Sequence, residues 1–314
     1  MANKLFSKKL PFSKVDDLGF GSTGDQSKER VLNKDGRFNL RRIGEHYHIY
    51  HILISMSWPR FFALIFLSFT IINGFFSLIY YFLGVENIAG FASEGFFMDL
   101  VNLFHFSVQT MTTVGYGVMH PTGIPSSVVA SFESLVGLLS FALVSGLMYG
   151  RFKNPKAEIK YSKNILITNV GEKRSIQVRV ANKLSHDLLD VEGRMLMLHN
   201  EVLEDGSIYK RYRSLTLQID KISFLPMNWT LTHFIDENSP LYGYTPKEFE
   251  EQNVEFLVLI TAYDDSFSQL VHSRSSYIYD EIVYEKHWEK PYFSDAKGRR
   301  IFDLEKLDKF VEGE

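Results

Sequence analysis

Apolar residues are concentrated between positions 61 and 150, where ninety consecutive residues include neither lysine nor arginine. Within this stretch, residues 61–83 form an uncharged run of 23 residues, long enough to cross a hydrocarbon core of about 30 Å. Residues 128–149 form a second apolar run that contains a single acid, Glu133. Membrane spans avoid cations over such lengths, whereas soluble domains rarely do. The pattern therefore predicts two membrane-spanning helices, an outer helix at 58–83 and an inner helix at 126–152.

A third apolar run, residues 96–112, is too short to cross the membrane and leads directly into a loop that contains two glycines. Irregular backbone is tolerated at membrane depth only where protein buries it or where it lines a water-filled path. We therefore predict that residues 96–117 form a re-entrant pore helix and loop. Arg60 and Arg151 bracket the two spans, so both ends of the chain are expected in the cytoplasm.

Ahead of the spans, residues 1–44 are predicted as a cytoplasmic N-terminal segment. Its first thirty residues are polar, as is typical of a mobile tail, and Asp35-Gly36 marks a tight turn. Residues 45–57 have apolar side chains at helical spacing, and Trp58-Pro59 follows them. This pattern predicts a helix that lies at the membrane interface, with an ordinary soluble helix as the alternative. The apolar positions are Ile49, Ile52, Leu53 and Met56.

After the spans, residues 153–314 show patterns that are typical of short strands and turns. Apolar and polar residues alternate over 175–181, which places Gln177 and Arg179 on the face opposite to the aliphatic residues. Several such strands with turns between them predict an antiparallel β-sandwich. The further predicted elements are a strand through Leu215, Leu217 and Ile219, a buried strand at 254–262, a hairpin turn at 204–207 and a closing helix at about 304–311.

Composition excludes several classes of function. A net charge of −3 and a pI near 6.4 give no reason to expect a nucleic-acid partner. The chain has no cysteine, so it has neither disulfides nor thiolate metal sites. His46, His48 and His51 do not share one helical face, which argues against a metal site there. The soluble part shows no nucleophile elbow and no paired carboxylates, so we predict that the protein is not an enzyme and needs no cofactor.

The loop after the re-entrant helix reads Thr113-Val114-Gly115-Tyr116-Gly117, the signature of potassium-selective filters. A dehydrated K⁺ ion needs several oxygens in place of its water shell, and stacked backbone carbonyls can supply them. Gly115 and Gly117 can adopt positive φ, so they allow successive carbonyls to point the same way. One chain supplies a quarter of each oxygen ring, so the motif implies four copies around an axis, with K⁺ bound by backbone carbonyls.

Several further stretches, in the right order, resemble the prokaryotic inward-rectifier (KirBac-type) potassium channels. The resemblance runs from residue 31 to the predicted closing helix, and the filter followed by a sandwich domain makes it specific. The matching stretches are Leu32-Asn33-Lys34-Asp35-Gly36, the helix that ends at Trp58-Pro59, Ser107-Val108-Gln109-Thr110-Met111, Arg151-Phe152, Trp229-Thr230-Leu231-Thr232-His233, Ser239-Pro240-Leu241 and Val271-His272-Ser273-Arg274.

The resemblance implies a homotetramer in the inner membrane of a prokaryote, with a two-helix pore and cytoplasmic immunoglobulin-like β-sandwich domains. It also implies a gate where the inner helices converge, at Tyr149, with Phe141 and Ser145 near the same helix face. For Phe141 and Tyr149, the alternative role is packing within the membrane or a place in the interfacial aromatic belt. In eukaryotic relatives an acid at the position of Phe141 supports strong rectification, so here we expect weak voltage-dependent block.

Two positions depart from the pattern of many potassium channels. Gln109 stands where a glutamate precedes the filter, and Val118 stands where an aspartate follows it. An intramembrane carboxylate is costly and is a functional candidate by default. We therefore predict that Glu133 lies behind the filter and braces the pore helix together with Gln109; a location near the outer water is the alternative.

Basic residues flank the predicted spans on the cytoplasmic side and are candidates for binding anionic lipid head groups. Simple positive-inside anchoring is the alternative explanation. The cluster consists of Arg41, Arg42, Arg60, Arg151, Lys153 and Lys156, and Arg151 and Lys153 are predicted to mediate lipid control.

These features together predict a passive, potassium-selective channel. Two alternatives remain at this point. The missing acids at Gln109 and Val118 leave open a weakly selective cation channel. A membrane-anchored sensor, in which the β-sandwich carries the function, is disfavoured by the intact filter because an anchor needs none.

Overall fold

The computed structural model describes residues 30–41, 43–44, 48–153, 157–202, 206 and 208–312. Its residues form two compact units, one from residues 43–154 and one that combines the N-terminal segment with residues 155–314. The predicted mobile tail lies outside the described residues.

The described residues of the first unit form four α-helices. Helices α2 and α4 have 26 and 29 residues, about 39 and 44 Å at 1.5 Å per residue, and both are apolar enough to cross a membrane. Short strands β1 and β2 pair with each other next to α3. The bounds are α1 (Ile49–Ser55), α2 (Trp58–Leu83), β1 (Ile88–Ala89), α3 (Phe96–Met111), β2 (His120–Pro121) and α4 (Ile124–Phe152).

Local sequence explains where these helices start and stop. Pro59 and Pro125 lie in the first turns of α2 and α4, where an N–H has no intrahelical partner in any case. Helix α2 ends because Gly84 takes φ of +98°. The helix before Trp58 was predicted at residues 45–57, of which the structure describes 48–57. Within that part, α1 covers only residues 49–55.

Helix α3 packs against both long helices through a small apolar cluster that includes Phe76, Tyr80, Leu103 and Phe106. A Cβ atom added at Gly137 of α4 would lie 2.0 Å from the carbonyl oxygen of Met111. The absence of a side chain there lets α4 contact the last turn of α3 directly.

The second unit is a β-sandwich of two five-stranded sheets. One sheet has the order β11-β10-β6-β7 with β8 also paired to β6, and the other has the order β12-β4-β5-β3 with β9 also paired to β5. The bounds are β3 (Ile159–Tyr161), β4 (Ile165–Val170), β5 (Lys173–Asn182), β6 (Leu188–Val202), β7 (Ile208–Leu215), β8 (Lys221–Phe224), β9 (Asn228–Phe234), α5 (Pro246–Glu251), β10 (Glu255–Asp264), β11 (Gln269–Ile278), β12 (Ile282–Tyr284), β13 (Lys286–Trp288), β14 (Tyr292–Ser294), β15 (Arg300–Phe302) and β16 (Phe310–Glu312).

The sandwich core contains residues from both sheets, as the alternating patterns predicted. Ile176 and Val178 of β5 and Phe256 and Val258 of β10 are fully buried in one cluster. The strands are antiparallel in these sheets except for the parallel pair of β12 and β4. The predicted buried strand at 254–262 corresponds to β10. Membrane helices followed by a β-sandwich confirm the predicted fold class.

Two local predictions need correction. Strand β7 ends at Leu215, and the alternation through Leu217 and Ile219 falls in a loop, where Gln218 N–H donates to Thr232. The predicted closing helix is a 3₁₀ turn, Leu304–Asp308, followed by strand β16, which pairs with β13. The predicted hairpin turn lies mostly outside the described residues, although β6 and β7 pair up to Val202 and Ile208.

The two predicted faces of β5 are present, and the polar face is covered as well. Gln177 and Arg179 are buried, and residues of the C-terminal segment cover Arg179. The Arg179 guanidinium lies 5.0 Å from the Trp288 ring centroid and donates to the Glu289 carbonyl at 2.6 Å. Burial lowers the pKa of Arg179 to about 10. The alternation of apolar and polar residues identified the two faces of β5, but it did not reveal that the C-terminal segment covers Arg179.

The N-terminal segment 30–41 packs on the β-sandwich. Both carboxylate oxygens of Glu255 accept backbone N–H groups, from Val31 at 2.8 Å and from Leu32 at 3.2 Å. Leu32 is 1% exposed, and the guanidinium of Arg30 forms an ion pair of 2.9 Å with Glu281. The segment is therefore fixed by backbone and side-chain contacts.

Candidate functional site

The loop after α3 has an unusual backbone. Thr113, Gly115 and Gly117 have φ of +61°, +50° and +85°, while Val114 and Tyr116 are not among the positive-φ residues. This alternation is the backbone form that can turn successive carbonyls to the same side. A positive φ is strained for a threonine, and such strain persists only where the surroundings impose it.

The end of α3 holds this loop. The N–H groups of Val114 and Gly115 donate to the Gln109 carbonyl at 2.9 and 3.3 Å. Gln109 therefore holds the loop through its backbone carbonyl. The sequence prediction concerned only its side chain, which stands where many potassium channels have a glutamate. The side chains of Val114 and Tyr116 are exposed in the single chain, by 53% and 77%.

The outer end of the loop fits closely against the segment between α2 and α3. Gly90 has φ of +74°, and a Cβ atom there would lie 1.9 Å from the carbonyl oxygen of Val118. Next to this contact, Ala89 and Ile88 pair with His120 and Pro121 in β1 and β2. The residue after the predicted filter is thus positioned by backbone contact and not by a carboxylate.

A buried polar network lies behind the loop. The Tyr80 hydroxyl donates to Glu133 at 2.6 Å, and the Ser107 hydroxyl contacts both Glu133 and Asn73. Asn73, Tyr80, Ser107 and Glu133 are each 0% exposed. The network joins α2, α3 and α4, so Glu133 contacts the pore helix and does not point to the outer water.

The three gate candidates lie along one line on α4. Phe141 and Tyr149 are 74% and 68% exposed in the single chain, and Ser145 between them is exposed too. These positions are four and eight residues apart, so they share a helix face. That face is therefore exposed in the single chain.

Arg151 at the end of α4 is bound to the end of α1. Its guanidinium donates to the carbonyls of Leu53 at 2.6 Å, Ile54 at 2.9 Å and Met56 at 2.7 Å. It also lies 4.4 Å from the Trp58 ring centroid. These carbonyls are the unpaired acceptors at a helix C-terminus, which attract cations.

Comparisons with known proteins agree with these features. Residues 65–153 match the family model described as "Ion channel", and residues 159–313 match the "Inward rectifier potassium channel C-terminal domain". The inward rectifier potassium channel Kirbac3.1 of Paramagnetospirillum magnetotacticum is 33% identical over 295 residues, which cover 91% of this chain and 97% of that protein. The chain belongs to the inward rectifier potassium channel family.

A relative of lower identity also matches most of this chain. The human ATP-sensitive inward rectifier potassium channel 15 is 26% identical over 307 residues, covering 90% of this chain and 82% of its own length. Among solved structures, the Bacillus subtilis sporulation control protein Spo0M covers 43% of this chain and 51% of its own, with a TM-score of 0.23 and 13% identity. That score is too low to support any argument. The family membership makes this protein a membrane-embedded potassium channel and not an enzyme.

The structure describes four of the six basic residues predicted to bind lipid, and Arg151 is one of them. Arg41, Arg60 and Lys153 are exposed, whereas Arg42 and Lys156 lie outside the described residues. Of the three N-terminal histidines, His46 lies outside them as well. Within the part of the chain that the structure describes, no group of His, Cys, Asp or Glu residues is arranged to hold a metal ion. The K⁺ ion of this channel is its transported substrate.

Sequence reasoning identified Glu133 but missed its partners. Asn73 and Tyr80 lie inside a run that was noted only for having no charge, and Ser107 was noted only for family resemblance. A polar amide in the middle of a membrane span was the available signal, because such groups need a hydrogen-bonding partner in hydrocarbon.

Proposed function

We propose that four copies of this potassium channel surround a central axis and that K⁺ crosses the membrane between their Thr113–Gly117 loops. The observation that carries this proposal is the alternation of φ at Thr113, Gly115 and Gly117 within the filter motif. Carbonyls on one side of each loop can replace the hydration shell of the ion only when several copies meet. The exposure of Val114 and Tyr116 in the single chain is consistent with further contacts between copies.

The filter proposal predicts the effect of removing backbone freedom at Gly115. In Gly115→Ala, a side chain is forced into positive φ at a cost of about 1–2 kcal/mol, so the loop should relax and lose potassium-over-sodium selectivity. The measurement is rubidium uptake into liposomes with sodium competition. Gly74→Ala is the matched control, because an added Cβ in mid-α2 meets open space. Unchanged selectivity in Gly115→Ala would contradict the filter assignment.

A weakly selective cation channel is the second candidate, favoured by Gln109 and Val118 in place of acids. The backbone contact between Gly90 and Val118 and the network at Glu133 support the selective channel instead, because they hold both ends of the loop without those acids. Equal uptake of sodium and rubidium by the wild type would favour the second candidate.

The gate is proposed at the exposed face of α4, with Tyr149 at the narrowest point and Phe141 and Ser145 above it. Rings of hydrophobic side chains can stop ions by excluding water. Tyr149→Ala should therefore raise the flux of a closed channel. Leu143→Ala is the control, since Leu143 is also exposed but lies two residues from Phe141, on the opposite side of α4. Flux that does not change in Tyr149→Ala would place the gate elsewhere.

We propose that the channel lies in a prokaryotic inner membrane with both termini in the cytoplasm and that anionic lipids modulate it. Arg41, Arg60 and Lys153 supply exposed basic groups, each contributing about 1 kcal/mol near an anionic surface. The contacts of Arg151 with α1 favour a structural role for that residue over lipid binding. Flux that is independent of anionic phospholipid content in liposomes would contradict lipid modulation.

A further inference from the structure

The polar network behind the filter loop indicates the protonation state of Glu133, which the sequence does not reveal. Asn73 and Tyr80 of α2, Ser107 of α3 and Glu133 of α4 meet where an isolated charge would be very costly. Their donors and acceptors can be counted, because each side chain contributes a known number of protons.

The orientation of the Asn73 amide is fixed by two neighbours. Its Nδ2 lies 2.7 Å from the Phe69 carbonyl oxygen and 3.2 Å from the Met111 sulfur, and both of these atoms are acceptors. Reversing the amide would place Oδ1 against these two acceptors. Oδ1 therefore faces Ser107, whose Oγ lies at 3.0 Å.

The Ser107 hydroxyl has one proton and two acceptors to serve. Since Asn73 Oδ1 has no proton of its own, Ser107 must donate to it. The short contact between Ser107 Oγ and Glu133 Oε1 then needs a proton from Glu133. The other carboxyl oxygen, Oε2, accepts the Tyr80 hydroxyl at 2.6 Å.

We infer that Glu133 is a neutral carboxylic acid that donates to Ser107, and that Asn73, Ser107 and Tyr80 are positioning residues for the filter. The hydrogen bonds then run in one direction, from Tyr80 through Glu133 and Ser107 to Asn73, and each donor proton has an acceptor. This inference rests on the proposed role of Thr113–Gly117 as the filter.

An ionised Glu133 fits the same contacts poorly. The carboxylate would accept the hydrogen bond from the Ser107 hydroxyl. Ser107 Oγ would then have no proton for Asn73 Oδ1, and two acceptors would face each other at 3.0 Å. No lysine or arginine between positions 61 and 150 is available to balance the charge. The other ionisable groups of α3 are His105, which is exposed, and Asp99, which accepts from Ser93 and from the N–H of Glu94 at the opposite end of the helix.

The network acts on the part of α3 that holds the filter. Ser107 and Met111 lie one turn apart on α3 and meet Glu133 and Gly137, which lie one turn apart on α4. Between those two contacts, the Gln109 carbonyl binds the amides at the start of the filter. Any rotation of this turn would displace that carbonyl, so the network sets the position of the loop.

The test compares Glu133→Gln with Glu133→Leu in liposome flux assays of the full-length channel. Glutamine offers an N–H to Ser107 and a carbonyl to Tyr80, like the neutral acid, so Glu133→Gln should keep the potassium-to-sodium ratio. Glu133→Leu leaves buried groups unpaired and should lower that ratio about tenfold. If Glu133→Gln lowers the potassium-to-sodium ratio as much as Glu133→Leu does, the inference that Glu133 is neutral is wrong.

Infrared difference spectroscopy between the wild type and Glu133→Gln reads the proton directly and does not depend on flux. We expect the carbonyl band of a protonated carboxyl group in the wild type, shifted in D₂O and absent from the variant. A carboxylate band in its place would contradict the inference even if Glu133→Leu failed to assemble.

Matched pairs test the positioning residues. Tyr80→Phe and Asn73→Leu should reduce selectivity, whereas Tyr81→Phe and Thr70→Val should not. Thr70 donates to the Phe66 carbonyl of its own helix, and Tyr81 lies outside the network. Equal effects within each pair would exclude positioning by these hydrogen bonds. A wild type that conducts without selecting K⁺ would instead contradict the proposed filter.

Discussion

Replacing Arg151 with leucine should release α1 from the end of α4. Helix α1 has only seven residues, and a helix of that length is marginal by itself. Its last carbonyls have no intrahelical donors, and the Arg151 guanidinium supplies donors to three of the carbonyls at this end, those of Leu53, Ile54 and Met56. The variant therefore removes the group that caps α1 and joins it to α4.

The contacts set the expected magnitude. A hydrogen bond from a charged donor contributes about 1.5–3 kcal/mol, and the partial exposure of Arg151 favours the low end. Because three bonds share one group and are not additive, we expect a loss of about 3 kcal/mol, or about a hundredfold more of the released state. Arg151→Lys keeps the charge but not the planar fork, so it should recover less than half of this loss.

Hydrogen–deuterium exchange of the channel in liposomes measures this release, through the amides of residues 52–56. The control is Arg60→Leu, which removes an equal charge from an exposed position at the start of α2. If exchange in α1 is as slow in Arg151→Leu as in the wild type, Arg151 does not hold α1 on α4.

Two further predictions concern the β-sandwich unit. In Glu255→Leu, the N–H groups of residues 31 and 32 lose their acceptor, so docking of segment 30–41 should weaken by about 3 kcal/mol and proteolysis there should accelerate; unchanged proteolysis would contradict this. For His199, burial and then the nearby Arg213 lower the pKa from 6.5 to about 4. Between pH 6.5 and about 4, His199 binds a proton in the unfolded chain but not in the folded chain. The free energy of unfolding should therefore fall by about 3 kcal/mol as the pH drops through this range. His199→Gln should lack this component in denaturant unfolding monitored by tryptophan fluorescence, and an identical pH dependence in both proteins would contradict the assignment.

The parts of the fold that were predictable from sequence have few physical solutions. An uncharged run of 23 residues can hardly be anything but a membrane span, and a filter motif after a short apolar run requires a re-entrant segment. The alternation in β5 and the apolar run of β10 likewise match the strands. In each case one local pattern decides the structure.

The features that escaped prediction depend on partners distant in sequence. The burial of Arg179 requires the C-terminal segment that covers β5, and the end of β7 at Leu215 depends on a loop contact with Thr232. At residues 304–311 a helical spacing was outweighed by pairing of β16 with β13. Asn73 and Ser107 gained meaning only once Glu133 was placed next to them.

Selective conduction is tested by rubidium uptake, driven by a potassium gradient, into liposomes that contain the purified wild-type channel. We expect uptake that barium blocks and that sodium fails to match at equal concentration. Uptake shared equally with sodium, or no uptake even in Tyr149→Ala, would contradict a selective potassium pathway through Thr113–Gly117.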